Sequence, residues 1–526
     1  MGDQDVYLKH FHNPSPWRRL VQRLVPSHAW SELTNSRQLR ASGIETPEVL
    51  AAQCNHGAEW LATAAIAPAR QGDLWHIEQA AAGEQGRRNI TQAGLALAEM
   101  IGKMHRAGWV QNDLHGGNIL IRTDGPHPRP VMMDLHRVRH YRRISRRRMA
   151  ANLAQLYHDR LRLTTRTERL RFLKHYLRVC QPGGTLRGWN NQVELLGRRH
   201  SRRRFASRDR RTLRQDRYFA RLKLPRLWRG HVVLATKNRL ACSQAAGIEF
   251  KAQDWRQVLA EPEALFRGSD VEVIKDSPSS LVIRRTLCVG PHRLRVVIKR
   301  ARRKQRWKWV LDCFRPSRPV RAFELGHALL TRRIPTALPL AALERRWGPH
   351  LMDAILICEA LDATAMNKFL DSHLARPPRG EIALSVPQQR RLAQQVLGRL
   401  GRLVQLLHDH NFAHRDLKAS NLLIRWTPPR EPEVVLVDLD GLSRRRFMTS
   451  RCRFQSLMRL NVSLLECPVV NRAGRLRMLM GYLRRPGSGQ IEFKVLWRVL
   501  DEWSDRKLRK QLRARRHRQK ATRRPV

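Results

Sequence analysis

Residues 401–425, GRLVQLLHDHNFAHRDLKASNLLIR, decide how this chain is read, because their plan occurs twice. Residues 101–122, IGKMHRAGWVQNDLHGGNILIR, follow the same plan about 303 positions earlier. In each copy apolar residues at helical spacing run to a histidine (His105, His408), and a short turn leads to an aspartate (Asp113, Asp416). An asparagine follows five residues on (Asn118, Asn421), just before an Ile/Leu run of strand character. A second strand then delivers another aspartate: VMMDLHRVR (131–139) carries Asp134 and VVLVDLDGLSRRR (434–446) carries Asp438, 21 and 22 residues beyond the first. Arg-rich helical stretches of matching texture come next, RLRFLKHYLR (169–178) and RLRMLMGYLRR (475–485).

The likeness extends upstream. VYLKHF (6–11) and LRVVIKR (294–300) each place a lysine in a strand pattern, Lys9 and Lys299. AWSELTNSRQLRASGIETP (29–47) and AFELGHALLTRRIPTALP (322–339) each follow with a glutamate on a helix, Glu32 and Glu324, at separations of 23 and 25 residues from the lysine. LWHIEQA (74–80) and AILICEAL (354–361) read as the strand that enters a hinge, near Glu78 and Glu359. The first copy departs from the second in having Gln111 and Asn112 where the second has His414 and Arg415.

Lysine, glutamate, aspartate, asparagine, aspartate, in that order, is a set that phosphoryl transfer can use, since that reaction needs positioning and charge neutralisation more than covalent chemistry. An aspartate in a short loop orients an acceptor hydroxyl and takes its proton, the role expected of Asp416 and Asp113. Mg²⁺ takes hard oxygen ligands, which Asn421 with Asp438, and Asn118 with Asp134, can supply. A strand lysine that reaches the phosphates of ATP has to be held by a helix glutamate, giving the expected ion pairs Lys299–Glu324 and Lys9–Glu32. Any one of these residues alone reads as an ordinary solvated charge; the ordered series in two copies is what carries the signal. Ahead of Lys299, VEVIKDSPSSLVIRRTLCV (271–289) reads as two strands joined by Asp-Ser-Pro-Ser-Ser, which can cover phosphates but is not a GxGxxG loop. Only eight residues precede Lys9, so either the first unit has a truncated N-lobe or the chain's true start lies further upstream.

The expected fold is α+β: two tandem bilobal protein-kinase-like units, each with a small β-rich N-lobe and a larger helical C-lobe, the first N-lobe truncated. The expected boundaries are 1–197 for the first unit, 198–230 for a basic tail and linker, 231–500 for the second unit and 501–526 for a basic C-terminal tail. The second unit, with HRDLKASN intact, is the expected active one.

Composition narrows the partners. Against 44 Asp and Glu stand 101 Lys and Arg in 526 residues, a formal net charge of +57, so the surface attracts polyanions. Candidates are an anionic membrane face, an acidic glycolipid and, less favoured, nucleic acid. The eight cysteines are scattered without a CxxC pair, which argues against a zinc site or a disulfide framework and for a reducing cytosol. Nowhere do 18 apolar residues run together, so membrane contact is expected to be peripheral, on the cytoplasmic side. The basic run RKQRWKWVLDCF (303–314) can serve as an interfacial or base-stacking segment or as a plain connector.

Taken together, LKHF, the Glu32 helix with SGIETPEVLA, NDLHGGNILI and MMDLHRVR in the first copy, and VIKR, the Glu324 helix with RRIPTALPL, HRDLKASNLLI and VVLVDLDGL in the second, resemble the lipopolysaccharide core kinases of the Kdo/WaaP family. The likeness covers roughly residues 5–180 and 270–485. It implies a cytosolic enzyme that uses ATP and Mg²⁺ to phosphorylate a sugar hydroxyl, on heptose or Kdo, of the lipid-linked lipopolysaccharide core. Two other readings stay open: a catalytically silent kinase-fold scaffold that binds a polyanion, and a protein Ser/Thr kinase with the same core chemistry.

Overall fold

The structure is a computed structural model that describes residues 5–12, 27–55, 58–160, 164–236, 247–302, 315–375, 384–428, 431–467, 469–483 and 490–522. The basic run 303–314 lies outside the described residues. The chain divides into two compact units, residues 1–204 and 205–526.

In the first unit, β1 (Val6–His12) is followed by α1 (His28–Ala41), β2 (Val49–Asn55) and β3 (Ala58–Ala64). The strands form a three-stranded sheet in the order β1-β3-β2, and Lys9 lies opposite Leu61. A short strand β4 (Ala69–Gln71) leads to α2 (Gly72–Ala81) and the long α3 (Gly83–Arg106). The segment carrying Asp113 and Asn118 then lies between β5 (Trp109–Gln111) and β6 (Ile119–Arg122), and Asp134 follows two residues after β7 (Arg129–Met132). β8 (Val138–His140), α4 (Arg146–Arg160), α5 (Arg166–Cys180) and α6 (Leu186–Arg211) complete the order. Ile90, Ala93, Leu97, Ile101 and Met104 recur every three or four residues along α3 and are buried with Leu173, Tyr176 and Trp189. LWHIEQA is not a strand: it lies in α2, where burial falls on Asp73, Trp75 and His76 at helical spacing while Leu74 and Ile77 are exposed. By strand order, β3 pairs with the lysine strand β1 as the strand ending at Glu359 pairs with the lysine strand of the second unit.

The second unit opens with β9 (Phe219–Lys223) and β10 (Trp228–Val233), then α7 (Ala252–Val258) and the hairpin β11 (Glu272–Ser277) and β12 (Ser280–Val289). β13 (His292–Ala301) bears Lys299, and α8 (Arg318–Thr331), β14 (Pro339–Trp347) and β15 (His350–Glu359) follow. Seven strands pair antiparallel in the order β11-β12-β13-β15-β14-β10-β9. Alternate residues Leu294, Val296 and Ile298 of β13 are buried, as a half-covered strand requires. The Asp-Ser-Pro-Ser-Ser segment forms the turn of the β11–β12 hairpin, as its sequence indicates. The helical lobe is built by β16 (Thr364–Ala365), α9 (Met366–Leu370), α10 (Val386–Asp409), β17 (Phe412–His414), β18 (Leu422–Arg425), β19 (Glu433–Leu436), β20 (Leu442–Arg444), α11 (Ser450–Leu465), α12 (Arg472–Leu483) and α13 (Gln490–Thr522). Gly401 of α10 packs so close to α12 that a Cβ there would meet the Met478 carbonyl oxygen at 2.0 Å.

Residues 198–230, read from sequence as tail and linker, hold the end of α6 and the strands β9 and β10. Apolar periodicity is weak there because β9 buries only Ala220 and Leu222 while Arg221 and Lys223 face out. Asp209, an acid within this Arg-rich stretch, is 6 % exposed and bound by Arg332, at 2.8 Å to each carboxylate oxygen, and by Arg444 at 2.5 Å. The segment from 501 is likewise helical through Thr522 as part of α13, and Ser504 in it is fully buried, accepting from Asn461 Nδ2 at 2.9 Å. Both units have the α+β, bilobal, protein-kinase-like architecture read from the sequence.

Candidate active site

The catalytic loops of the two units are held by the same hydrogen bonds from different residues. In the second unit His414 Nδ1 accepts from the Asp416 backbone N–H at 3.2 Å and Nε2 donates to the Asp438 carbonyl at 3.1 Å. Burial holds His414 below its usual pKa, with that carbonyl and nearby acids opposing, so the ring is the neutral Nε2–H tautomer the two bonds require. In the first unit Gln111 Oε1 accepts from Asp113 N–H at 3.2 Å and Nε2 donates to the Met133 and Asp134 carbonyls at 3.2 and 3.1 Å. A side-chain amide carries one acceptor and one donor at the right separation, so glutamine does here what neutral histidine does there.

The asparagines also match. Asn118 Nδ2 donates to the Asp113 carbonyl at 3.0 Å and Asn421 Nδ2 to the Asp416 carbonyl at 2.8 Å. With nitrogen committed, each amide presents its oxygen, a hard donor of the kind Mg²⁺ takes, beside a carboxylate on the following turn. Asp134 and Asp438 both adopt the left-handed conformation, φ 59°, which is costly for a residue with a Cβ and recurs at the same point of both units. Behind the loops, His105 and His408 bond to Tyr176 and Tyr482 hydroxyls at 2.7 and 2.9 Å, tying α3 to α5 and α10 to α12.

The aspartates expected to act on the acceptor differ in their surroundings. Asp113 accepts from Arg137 Nη1 at 2.9 Å and its side chain is 24 % exposed. Asp416 is 60 % exposed and pairs with Lys418 at 2.8 Å. Gly441 stands where the first unit has Arg137, each three residues beyond its left-handed aspartate.

The lysines differ more. Lys9 Nζ lies 3.0 Å from Glu32 Oε2 and 2.6 Å from Asp134 Oδ1, the expected ion pair. His136 Nδ1 stands 3.4 Å from Glu32 Oε2 and 3.3 Å from Asp134 Oδ1, at ion-pair distance though off line for a directed hydrogen bond. Burial works against ionising Asp134, but His136 and Lys9 outweigh it and hold its carboxyl well below the usual range; burial likewise opposes the charge on His136, and the carboxylates raise its pKa nonetheless. Glu32, Asp134 and His136 offer ligand atoms all within 4.8 Å of one another, but the Lys9 ammonium already pairs with both carboxylates. Lys299 Nζ lies 2.6 Å from Asp438 Oδ1 and 2.7 Å from Asp440 Oδ2, and among the described residues it makes no ion pair with Glu324. Burial depresses Lys299, and Asp440 and Asp438 together more than restore its charge. Glu324 is raised by burial and by Asp209, with Arg444 opposing.

The expected Lys299–Glu324 pair fails on register. Lys9 and Lys299, the helix N-caps Ser27 and Ser317, and the turn bonds Ile44 N–H to Leu39 O and Ile334 N–H to Leu329 O are all 290 positions apart. The same offset sets Ala322, not Glu324, at the place of Glu32; Glu324 occupies the place of Thr34. The unequal separations of 23 and 25 residues were the sequence signal of this slip. Asp440 and His136, two residues past the left-handed aspartates, went unassigned because no pattern required charge there.

Comparison with known proteins supports a tandem arrangement. The family model described as "Lipopolysaccharide kinase (Kdo/WaaP) family" matches residues 2–176 and again 279–482. A solved structure titled "WaaP in complex with acyl carrier protein" aligns at 20 % identity and a TM-score of 0.35, over 50 % of this chain and 98 % of that one. No curated protein matches.

Proposed function

This chain belongs to the lipopolysaccharide kinase (Kdo/WaaP) family, and on that premise we propose that it moves the γ-phosphoryl group of ATP to a heptose or Kdo hydroxyl of the lipopolysaccharide core at the cytosolic membrane face. The observation that carries the reading is the convergence of Lys299, Asp416, Asn421 and Asp438 in a unit that matches the family. Asp416 orients the acceptor hydroxyl and takes its proton. Asn421 and Asp438 are the residues to hold Mg²⁺, which would neutralise phosphate charge, and Lys299 is the residue to meet the phosphates. The second unit is the active one in this reading: each aspartate has a cationic neighbour, Lys418 at Asp416 and Arg137 at Asp113, but the Asp416 side chain is the more exposed of the two and so the more accessible to an acceptor. Lys9, Glu32, Asn118 and Asp134 are then a nucleotide and metal site that supports the first unit's structure. No described helix is long and apolar enough to cross a membrane, and the charge of +57 suits contact with an anionic lipid surface.

The test is transfer from γ-labelled ATP with Mg²⁺ to purified core lipopolysaccharide, to a generic protein substrate and to soluble heptose. Label in the lipopolysaccharide fraction is expected. Label only in protein or free sugar removes the glycolipid assignment, and no label with no ATP binding removes the phosphotransferase assignment.

A further inference from the structure

Each lysine is given two carboxylates, but from different places. Asp134 and Asp438 are common to both units, each at 2.6 Å and each left-handed. The second carboxylate comes from helix α1 in the first unit, as Glu32, and from the loop after the sheet in the second, as Asp440. The positions exchange chemistry together. Where the helix offers Glu32 the loop carries His136, whose Nδ1 stands 3.4 Å from it; where the loop offers Asp440 the helix carries Ala322, 1 % exposed and with an apolar side chain. Two acids with one lysine is the balance on both sides. A third carboxylate would repel its neighbours, and a single one, once drawn to a cation, would leave a mostly buried ammonium uncompensated.

We propose that Asp440 is the positioning residue for Lys299, standing in for the helix glutamate that the second unit lacks. The inference rests on the phosphotransfer reading of that site. It has a mechanistic reason: Asp438 is a residue to hold Mg²⁺, so when nucleotide is bound Lys299 needs an anchor that is not also a metal ligand. Asp440, on the turn Leu439–Gly441, can hold Nζ while Asp438 serves the cation. In the first unit Glu32 provides that separate anchor. The second unit therefore need not be impaired by the absence of a helix glutamate at position 322.

The experiment measures ATP affinity by titration and steady-state kcat and KM for ATP on the full chain. It uses the wild type, Asp440→Asn, Asp440→Asn with Ala322→Glu, and Asp440→His with Ala322→Glu, the last recreating the first unit's arrangement. Asp440→Asn keeps the side chain's shape and should fold; losing the anchor misplaces Lys299, and kcat/KM for ATP should fall by about 10²-fold. A glutamate at 322 should restore at least about a tenth of wild-type kcat/KM in either background, which a merely structural role for Asp440 would not allow. Asp440→Asn with unchanged kcat/KM overturns the inference, and so does a folded Ala322→Glu double variant that recovers nothing. Should the double variants fail to fold, the decision rests on Asp440→Asn and on Glu324→Gln, which should leave ATP kinetics unchanged; loss with Glu324→Gln and not with Asp440→Asn overturns it. A wild type that binds no ATP sinks the phosphotransfer reading instead, an outcome separate from either of these.

Discussion

The two units set the same lysine, aspartate and asparagine in place and then differ at the residues that hold them. In the first, a helix glutamate pairs with Lys9, a loop histidine stands beside that glutamate and Asp134, a glutamine braces the loop of Asp113, and an arginine engages Asp113. In the second, a loop aspartate replaces the glutamate, a neutral histidine braces the loop, and glycine stands where that arginine would be. Under the proposed phosphoryl transfer, the groups that would touch the substrates are constrained, whereas the groups behind them need only present the same donors and charges. Substitutions behind the site can therefore look like losses in sequence while the same hydrogen bonds and ion pairs are kept.

Several substitutions break or sharpen that contrast. The largest effect is expected at Arg332, buried against Asp209 between the rings of Phe205 and Phe412. Arg332→Ala leaves a buried carboxylate short of its main partner and should cost the second unit about 4 kcal/mol in urea unfolding. Ser42→Ala, at the corresponding exposed turn of the first unit, should stay within about 0.5 kcal/mol. Gly401→Ala drives a methyl into the Met478 carbonyl and should cost about 3 kcal/mol, while Ala98 already occupies the same place on α3.

Acid should weaken both units alike. Burial lowers His105 and His327 to about 4 from 6.5, against opposing hydrogen bonds from Asn152 and the Pro339 carbonyl. The unfolded imidazoles take up protons near pH 6.5 while the folded ones resist to about pH 4. Stability is thus full above pH 6.5 and lost as the pH falls to about 4, by roughly 3 kcal/mol per histidine, which unfolding midpoints at pH 7 and 4.5 would reveal. The smallest effect is expected for His414→Gln. Gln111 shows that an amide satisfies the same bonds, so activity should drop less than about tenfold, whereas His414→Ala should lose about 10²-fold.

Much of this was legible in the sequence. HRDLKASN and NDLHGGN located both loops, the period-2 run of β13 located Lys299, and helical spacing located α3 and α10. What was not legible depended on register or on tertiary partners. Glu324 was matched to Glu32 because both are acids on equivalent helices; only the N-caps and the Ile-x-Thr turns fix the two-residue offset. Gln111 looked like a defect because hydrogen-bond equivalence between amide and imidazole is invisible in residue names. LWHIEQA reads as a strand because a short apolar run does not distinguish a strand from one face of a helix. The strands β9 and β10 were hidden by their arginines, and Asp209, which binds Arg332 and Arg444, is a single acid in a basic run.

The most direct test of the central claim compares transfer of γ-labelled phosphate to core lipopolysaccharide by the wild type, Asp113→Asn and Asp416→Asn at saturating ATP and Mg²⁺. Asp416→Asn is expected to lower the rate by about 10³-fold and Asp113→Asn by less than about threefold. The reverse pattern, with Asp113 essential and Asp416 dispensable, would contradict that claim and make the first unit the enzyme.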